Sequence, residues 1–350
     1  MRKLILSMAL AILSVGAYAQ GTPVNNCTPT PNKPQIGNTY SYQVNINGGT
    51  SPNHYNGNGV YQWYVTQNQS DLLNGAINAN NNFFTIKGGS TYNSTETTGT
   101  TNNIQLEWKS DALMETNPFF LVLKYSEDNS VCKGHNIKVM RITPLNNFKI
   151  DITPVKDLAG NVFTNPTKAE ICSSEITSAS IINNKVKYVY GETKLYYKVS
   201  MTGFTGNWKP TINIPQLQGL TSNNTDTDYI ARKYKSIKWN VGAGGAFEDF
   251  APVADNGNSQ TIVSASTTDK NEFILEITIE NGTYEGLNNE IIEVATKGQM
   301  VLADGSLGAR DVDDNCDEIT NETNNRKANQ IILARPTISA TSGEFIIQIQ

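Results

Sequence analysis

The stretch Glu272-Phe273-Ile274-Leu275-Glu276-Ile277-Thr278-Ile279-Glu280-Asn281-Gly282 decides the fold class. In an extended chain Phe273, Leu275, Ile277 and Ile279 share one face, while Ile274, Glu276, Thr278 and Glu280 share the other. One face suits a core and the other suits water, and Asn281-Gly282 is a turn signal. Half-buried strands of this kind belong to antiparallel sheets, because the strands of parallel α/β sheets are covered on both faces and read as unbroken apolar runs. The same alternation recurs in Ile104, Leu106 and Trp108, in Phe148, Ile150 and Ile152, and in Leu195, Tyr197, Val199 and Met201. Further strands are expected at 38–47, 59–66, 83–87, 118–126, 137–143, 185–190, 236–241, 260–266, 289–296, 330–334 and 344–350. Only 70–74 and 229–234 read as short helices.

Composition agrees with this reading. Charged residues make up 17% of the 350 and hydrophobic residues 38%, so Asn, Thr, Ser, Gln and the 27 Gly carry the polarity. Such residues fill turns and outer strand faces rather than helices. A formal net charge of -5 excludes a basic nucleic-acid binder. Residues 1–19 pair Arg2 and Lys3 with an apolar run and the small-residue site Ala17-Tyr18-Ala19, the pattern of a secretory signal peptide cleaved after Ala19. An exported chain is therefore expected, at the cell surface, extracellular or periplasmic, with no later segment apolar enough to span a membrane.

The roughly 330 residues after Ala19 exceed the common size of one domain. An internal repeat divides them: Tyr61-Gln62-Trp63-Tyr64-Val65 and Ile237-Lys238-Trp239-Asn240-Val241 both place Trp-x-Val in a strand ahead of a strongly apolar strand. The expected organisation is a first sandwich over 20–156, a linker over 157–168 and a second sandwich over 169–350. Four cysteines, Cys27, Cys132, Cys172 and Cys316, allow three pairings in an exported protein. Their placement in the repeat predicts Cys27–Cys132 and Cys172–Cys316.

The strings 59–65, 104–109 and 119–125, then Val131-Cys132-Lys133-Gly134 and 137–144, resemble the immunoglobulin-like or PKD-like modules of exported Bacteroidota proteins, as does the tail from Asp311 to Thr337. The resemblance implies two tandem immunoglobulin-like antiparallel β-sandwiches. It also implies a subunit or accessory of a surface adhesin or of a gliding-motility and type IX secretion assembly. Its partners would be proteins of the surface or outer membrane, such as a large adhesin or an outer-membrane β-barrel. The segment 343–350 does not carry the long sorting domain of type IX cargo, which leaves periplasmic residence open.

Few residues are suited to chemistry. The only histidines are His54 and His135, and no serine stands in a Gly-x-Ser-x-Gly context, so no catalytic set is assigned and no enzyme is expected. Asp311, Asp313, Asn315 and Asp317, with Glu322 at the twelfth place, space oxygen donors as a calcium loop does, although Cys316 occupies the place of the turn glycine. The competing reading is a solvated acidic turn, and no other cofactor is expected. Trp63, Trp108 and Trp239 sit on alternating strands and are assigned to cores, whereas Trp208, between Gly206 and Pro210, is placed on a loop as a surface contact for a sugar or other ligand. The run with Phe345, Ile347 and Ile349 either completes its own domain's sheet, the favoured reading, or pairs with another chain. The function expected is thus a non-enzymatic interaction protein, with a carbohydrate-binding sandwich as the alternative.

Overall fold

The computed structural model describes residues 28–46, 55–74, 82–87, 98–99, 102–128, 133–165, 168–182, 184–219, 229–250, 261–320 and 326–338. Residues 1–19, expected to be a signal peptide, lie outside these residues, as do Cys27, Cys132, His54, Glu322 and the run with Phe345, Ile347 and Ile349. Among the described residues seven strands come first: β1 Thr39–Gln43, β2 Val60–Thr66, β3 Phe84–Ile86, β4 Thr98–Gly99, β5 Asn103–Trp108, β6 Phe119–Asp128 and β7 Lys133–Ile142, with a short α-helix, α1 Asp71–Asn74, and a 3-10 turn over Ser110–Met114. Twelve follow: β8 Lys149–Val155, β9 Glu170–Ile171, β10 Ile176–Ile182, β11 Lys185–Thr202, β12 Trp208–Ile214, β13 Lys233–Trp239, β14 Glu248–Asp249, β15 Thr261–Ser264, β16 Glu272–Gly282, β17 Glu290–Val301, β18 Leu307–Arg310 and β19 Arg326–Ile332.

The chain is all-β, and every ladder is antiparallel except the short β9–β19 pair. A three-stranded sheet, β1-β5-β3, faces a four-stranded sheet, β4-β2-β6-β7. Between them the Trp108 ring lies 5.0 Å from Phe119 and 5.6 Å from Phe84, and its indole N–H donates to Tyr42. The second pair sets β10-β11-β16-β13-β14, with β8 beside β11, against β15-β12-β17-β19-β9, with β18 beside β17. Tyr197 of the one sheet donates its hydroxyl to the Ile292 carbonyl of the other.

The strand with which the sequence reading began, β16, is central, and its apolar set is fully buried. Glu276 and Thr278 on its other face are buried as well, because Tyr196 and Lys238 flank Glu276 in the ladders on either side. Asn281-Gly282 does not close a hairpin onto the next strand. Gly282 at φ 55 pairs with Tyr190, and a Cβ there would stand 2.1 Å from the Ile230 carbonyl oxygen, so only glycine fits.

Three expectations are corrected. Lys149–Val155, placed with the first sandwich, pairs with β11 over Tyr196–Thr202. It also packs across the second core, where Ile150 approaches Gly298 so closely that a Cβ on that glycine would lie 2.8 Å from it. Residues 229–234, read as a helix, lead into strand β13. Residues 203–210, read as a loop, lead into β12, whose Pro210 is tolerated because its ring nitrogen lies where the pairing with β15 ends; there the Ala265 N–H donates to the Pro210 carbonyl.

Candidate interaction surfaces

The largest departure from a closed sandwich is the hairpin β10–β11. β11 is 18 residues long, yet its pairing with β16 begins only at Tyr190. The preceding residues pair with β10 alone and rise about 17 Å beyond the sheet. Ile181 sits opposite Val186 and Ala179 opposite Tyr188, on the same face as Ile176 and Tyr190. Ile181 is 76% exposed and Val186 56%, so among the described residues no sheet lies across from this apolar face. The other face carries Ser178, Ser180, Lys185 and Lys187 together with Ile182 and Val189. Asn184, at φ 61, makes the turn, a conformation asparagine tolerates better than most residues.

The hairpin stands on a rigid base. Arg232 and Glu290, both almost wholly buried, form a 2.5 Å ion pair. Arg232 also donates to Asn281 and to the Gln218 carbonyl, while Glu290 accepts the Gln218 N–H. The Asn281 amide donates to Ser174, the Gly191 carbonyl and Thr193. Arg335 closes the base with its guanidinium 4.0 Å from the Tyr190 ring centre. Sequence reading found 185–190 but not β10, although two asparagines between apolar runs carried the turn signal.

A second concavity, about 540 Å³, opens on the outer face of the four-stranded sheet beside Gln62, Lys124, Ser126 and His135, with Val60 and Ile137 as its apolar wall. Lys124 reaches across to donate to the Leu73 carbonyl at the end of α1. Nearby, Glu127 accepts the N–H groups of Asn56 and Gly57 and the Tyr125 hydroxyl, and that last bond leads in holding its carboxyl below the usual range.

Trp208 is not a surface residue. It is fully buried, stacked 5.9 Å from Phe273, and its indole N–H donates to the Lys270 carbonyl. The acidic loop does not bring its donors together. Asp311 is buried and points inward, where one carboxylate oxygen accepts the Gly298 N–H and so extends the β17–β18 ladder by a side chain. Asp313 accepts the N–H groups of Asn315 and Asp317, which tightens the turn, and Asp314 pairs with Arg326 at 2.7 Å. Cys316 adopts φ 65, the backbone state a glycine would have supplied. Among the described residues no three His, Cys, Asp or Glu side chains are grouped to hold a metal. The Cys172–Cys316 bridge is not formed, because Cys172 is an exposed free thiol while Cys316 is disulfide-bonded. Among the described residues no helix is long and apolar enough to cross a membrane.

No protein-family model and no curated protein matches the chain. Solved structures similar to it include the C-terminal domain of the Streptococcus agalactiae antigen I/II polypeptide BspA, at 9% identity and TM-score 0.24, covering 78% of this chain and 83% of that one. The CupB6 tip adhesin from Pseudomonas aeruginosa matches at 11% identity and TM-score 0.25, over 89% and 83%. The collagen-binding domain of the Erysipelothrix rhusiopathiae surface protein RspB matches at 10% identity and TM-score 0.19, over 66% and 67%.

Proposed function

We propose that the chain is a non-enzymatic, exported, adhesin-like interaction protein that presents the β10–β11 hairpin to a protein partner at the cell surface or outer membrane. In this reading it serves as a subunit or accessory of a surface adhesin or of a gliding-motility and type IX secretion assembly. The observation that carries the reading is the hairpin's apolar face, exposed over Ile176, Ile181, Val186 and Tyr188 and held on a strand continuous with the core. A protein with no partner there would leave a contiguous apolar patch in water. Affinity purification from the native cell envelope tests it, with Ile181→Asp/Val186→Asp as the comparison. Burying each of these side chains is worth about 1.5–3 kcal/mol, so the variant should retain less than about a tenth of a large adhesin or outer-membrane β-barrel captured by the wild type, with its melting unchanged. Equal capture by both proteins, or no such partner for the wild type, rejects the reading.

The alternative of a ligand-binding sandwich has one observation in its favour, the 540 Å³ concavity, whose Lys124, Gln62 and Ser126 suit an acidic saccharide. A glycan array with a Lys124→Ala control separates the two readings.

A further inference from the structure

Among the described residues the first pair of sheets is uneven, three strands against four, which leaves one place open. β1 is the outermost strand of the three-stranded sheet and β7 of the four-stranded sheet. Between their edges runs a groove of about 220 Å³ lined by Tyr42, Val44, Trp63, Leu121, Leu123 and Met140. Met140 sits opposite Leu121 in the ladder and therefore shares its inward face, yet it is 38% exposed because nothing in the facing sheet covers it. Trp63 is 3% exposed and its indole N–H has no hydrogen-bond partner. A buried donor left unpaired costs about 1–3 kcal/mol. Among the described residues nothing pairs with the outer edge of β1.

The sequence contains a segment suited to this groove. Glu344-Phe345-Ile346-Ile347-Gln348-Ile349-Gln350 alternates Phe345, Ile347 and Ile349 on one face and has Glu344 as its only charge. On β7, which borders the groove, Lys138 lies opposite Leu123 and lines the groove beside Met140, with no acid in the strand. Geometry places the segment's own groove out of reach. Arg335 stacks on Tyr190 at one end of β11, and the first pair of sheets joins beyond the other end, where Thr202 pairs with Lys149. The twelve steps from Tyr190 to Thr202 rise about 40 Å. The ten steps from Arg335 to Phe345 extend to at most about 36 Å, and the groove lies farther still, past Thr143.

We infer that the 345–350 run of one copy inserts beside β1 of a second copy, adding a fourth strand to its three-stranded sheet and joining the copies head to tail. Backbone hydrogen bonds to β1 supply affinity, and Phe345, Ile347 and Ile349 fill the groove above Leu121, Leu123 and Met140. The contact is heterologous, since donor and acceptor surfaces differ, so it propagates into open chains rather than closing as a dimer. This goes beyond the proposed binding role and does not depend on the hairpin.

The test uses the full chain after signal cleavage, with light scattering after size exclusion across a range of concentrations. Ile347→Asp disables the donor and Met140→Arg, at an exposed position, blocks the acceptor. The wild type should form concentration-dependent multimers and each variant alone a monomer. An equimolar mixture of the two variants should give a species of twice the monomer mass and nothing larger, because only one donor and one acceptor remain intact per pair. A monomeric wild type overturns the inference. So do multimers that persist in both variants, or an Ile347→Asp chain whose own thermal transition is lost, which would place the run in its own domain's sheet.

Discussion

Replacing Asp311 by Asn should change how stability depends on pH. Asp311 is fully buried; one carboxylate oxygen accepts the Gly298 N–H and the other has no partner. Burial raises its pKa from 3.8 to about 6, against the lowering effects of the Gly298 hydrogen bond and of Arg326 and Lys297. Between these values the unfolded chain has lost the proton and the folded chain keeps it, so stability falls as pH rises. The contribution is fully present below pH 3.8 and is lost as the pH passes 6. The interval from 3.8 to about 6, at about 1.4 kcal/mol per pH unit, amounts to about 3 kcal/mol. Asn keeps the acceptor for Gly298 and does not titrate. The stability of Asp311→Asn relative to wild type should therefore grow by about 3 kcal/mol from pH 3.5 to pH 7.5, while the other carboxylates cancel in the difference. Urea unfolding followed by tryptophan fluorescence measures it, because Trp208 and Trp239 both lie in the second core. A flat difference refutes the account of burial. A difference of opposite sign that disappears with a chelator would mean that Asp311 is ionised and binds a cation, which would restore the calcium reading.

Two further outcomes follow from corrected positions. Trp208→Ala should destabilise the second core by about 3–5 kcal/mol through lost packing on Phe273, seen as a lowered melting midpoint, and a variant that melts with the wild type would contradict its burial. Without reductant, a maleimide should label Cys172 stoichiometrically and leave Cys316 unmodified, whereas a non-reducing peptide map linking the two would restore the repeat-based pairing.

Class and core were legible because alternation directly reports which side chains share a face. Phe273, Leu275, Ile277 and Ile279 are core on that ground alone, and Trp63, Trp108 and Trp239 with them. What alternation cannot report is the partner. Phe148, Ile150 and Ile152 alternate equally well in either sandwich, and only the long-range register with β11 and the gap at Gly298 select the second. A local rule misplaces Trp208, since Gly206 and Pro210 are loop residues in most contexts, and Pro210 escapes that rule only because its missing N–H falls where the β15 ladder ends.

The surfaces were harder to read for a related reason. Ile181 and Val186 look like core residues in sequence, and their exposure follows from how far β11 outruns its neighbour β16, a length mismatch between strands some ninety residues apart. Met140 is the same case on a smaller scale, an inward residue left uncovered because, among the described residues, the facing sheet has one strand fewer. An apolar residue in a regular strand therefore marks an interaction surface only when the facing sheet stops short. That fact belongs to the whole topology rather than to any local stretch, and it is why Trp208, the residue with the most suggestive neighbours, was the wrong choice while plain isoleucines and a methionine mark the open surfaces.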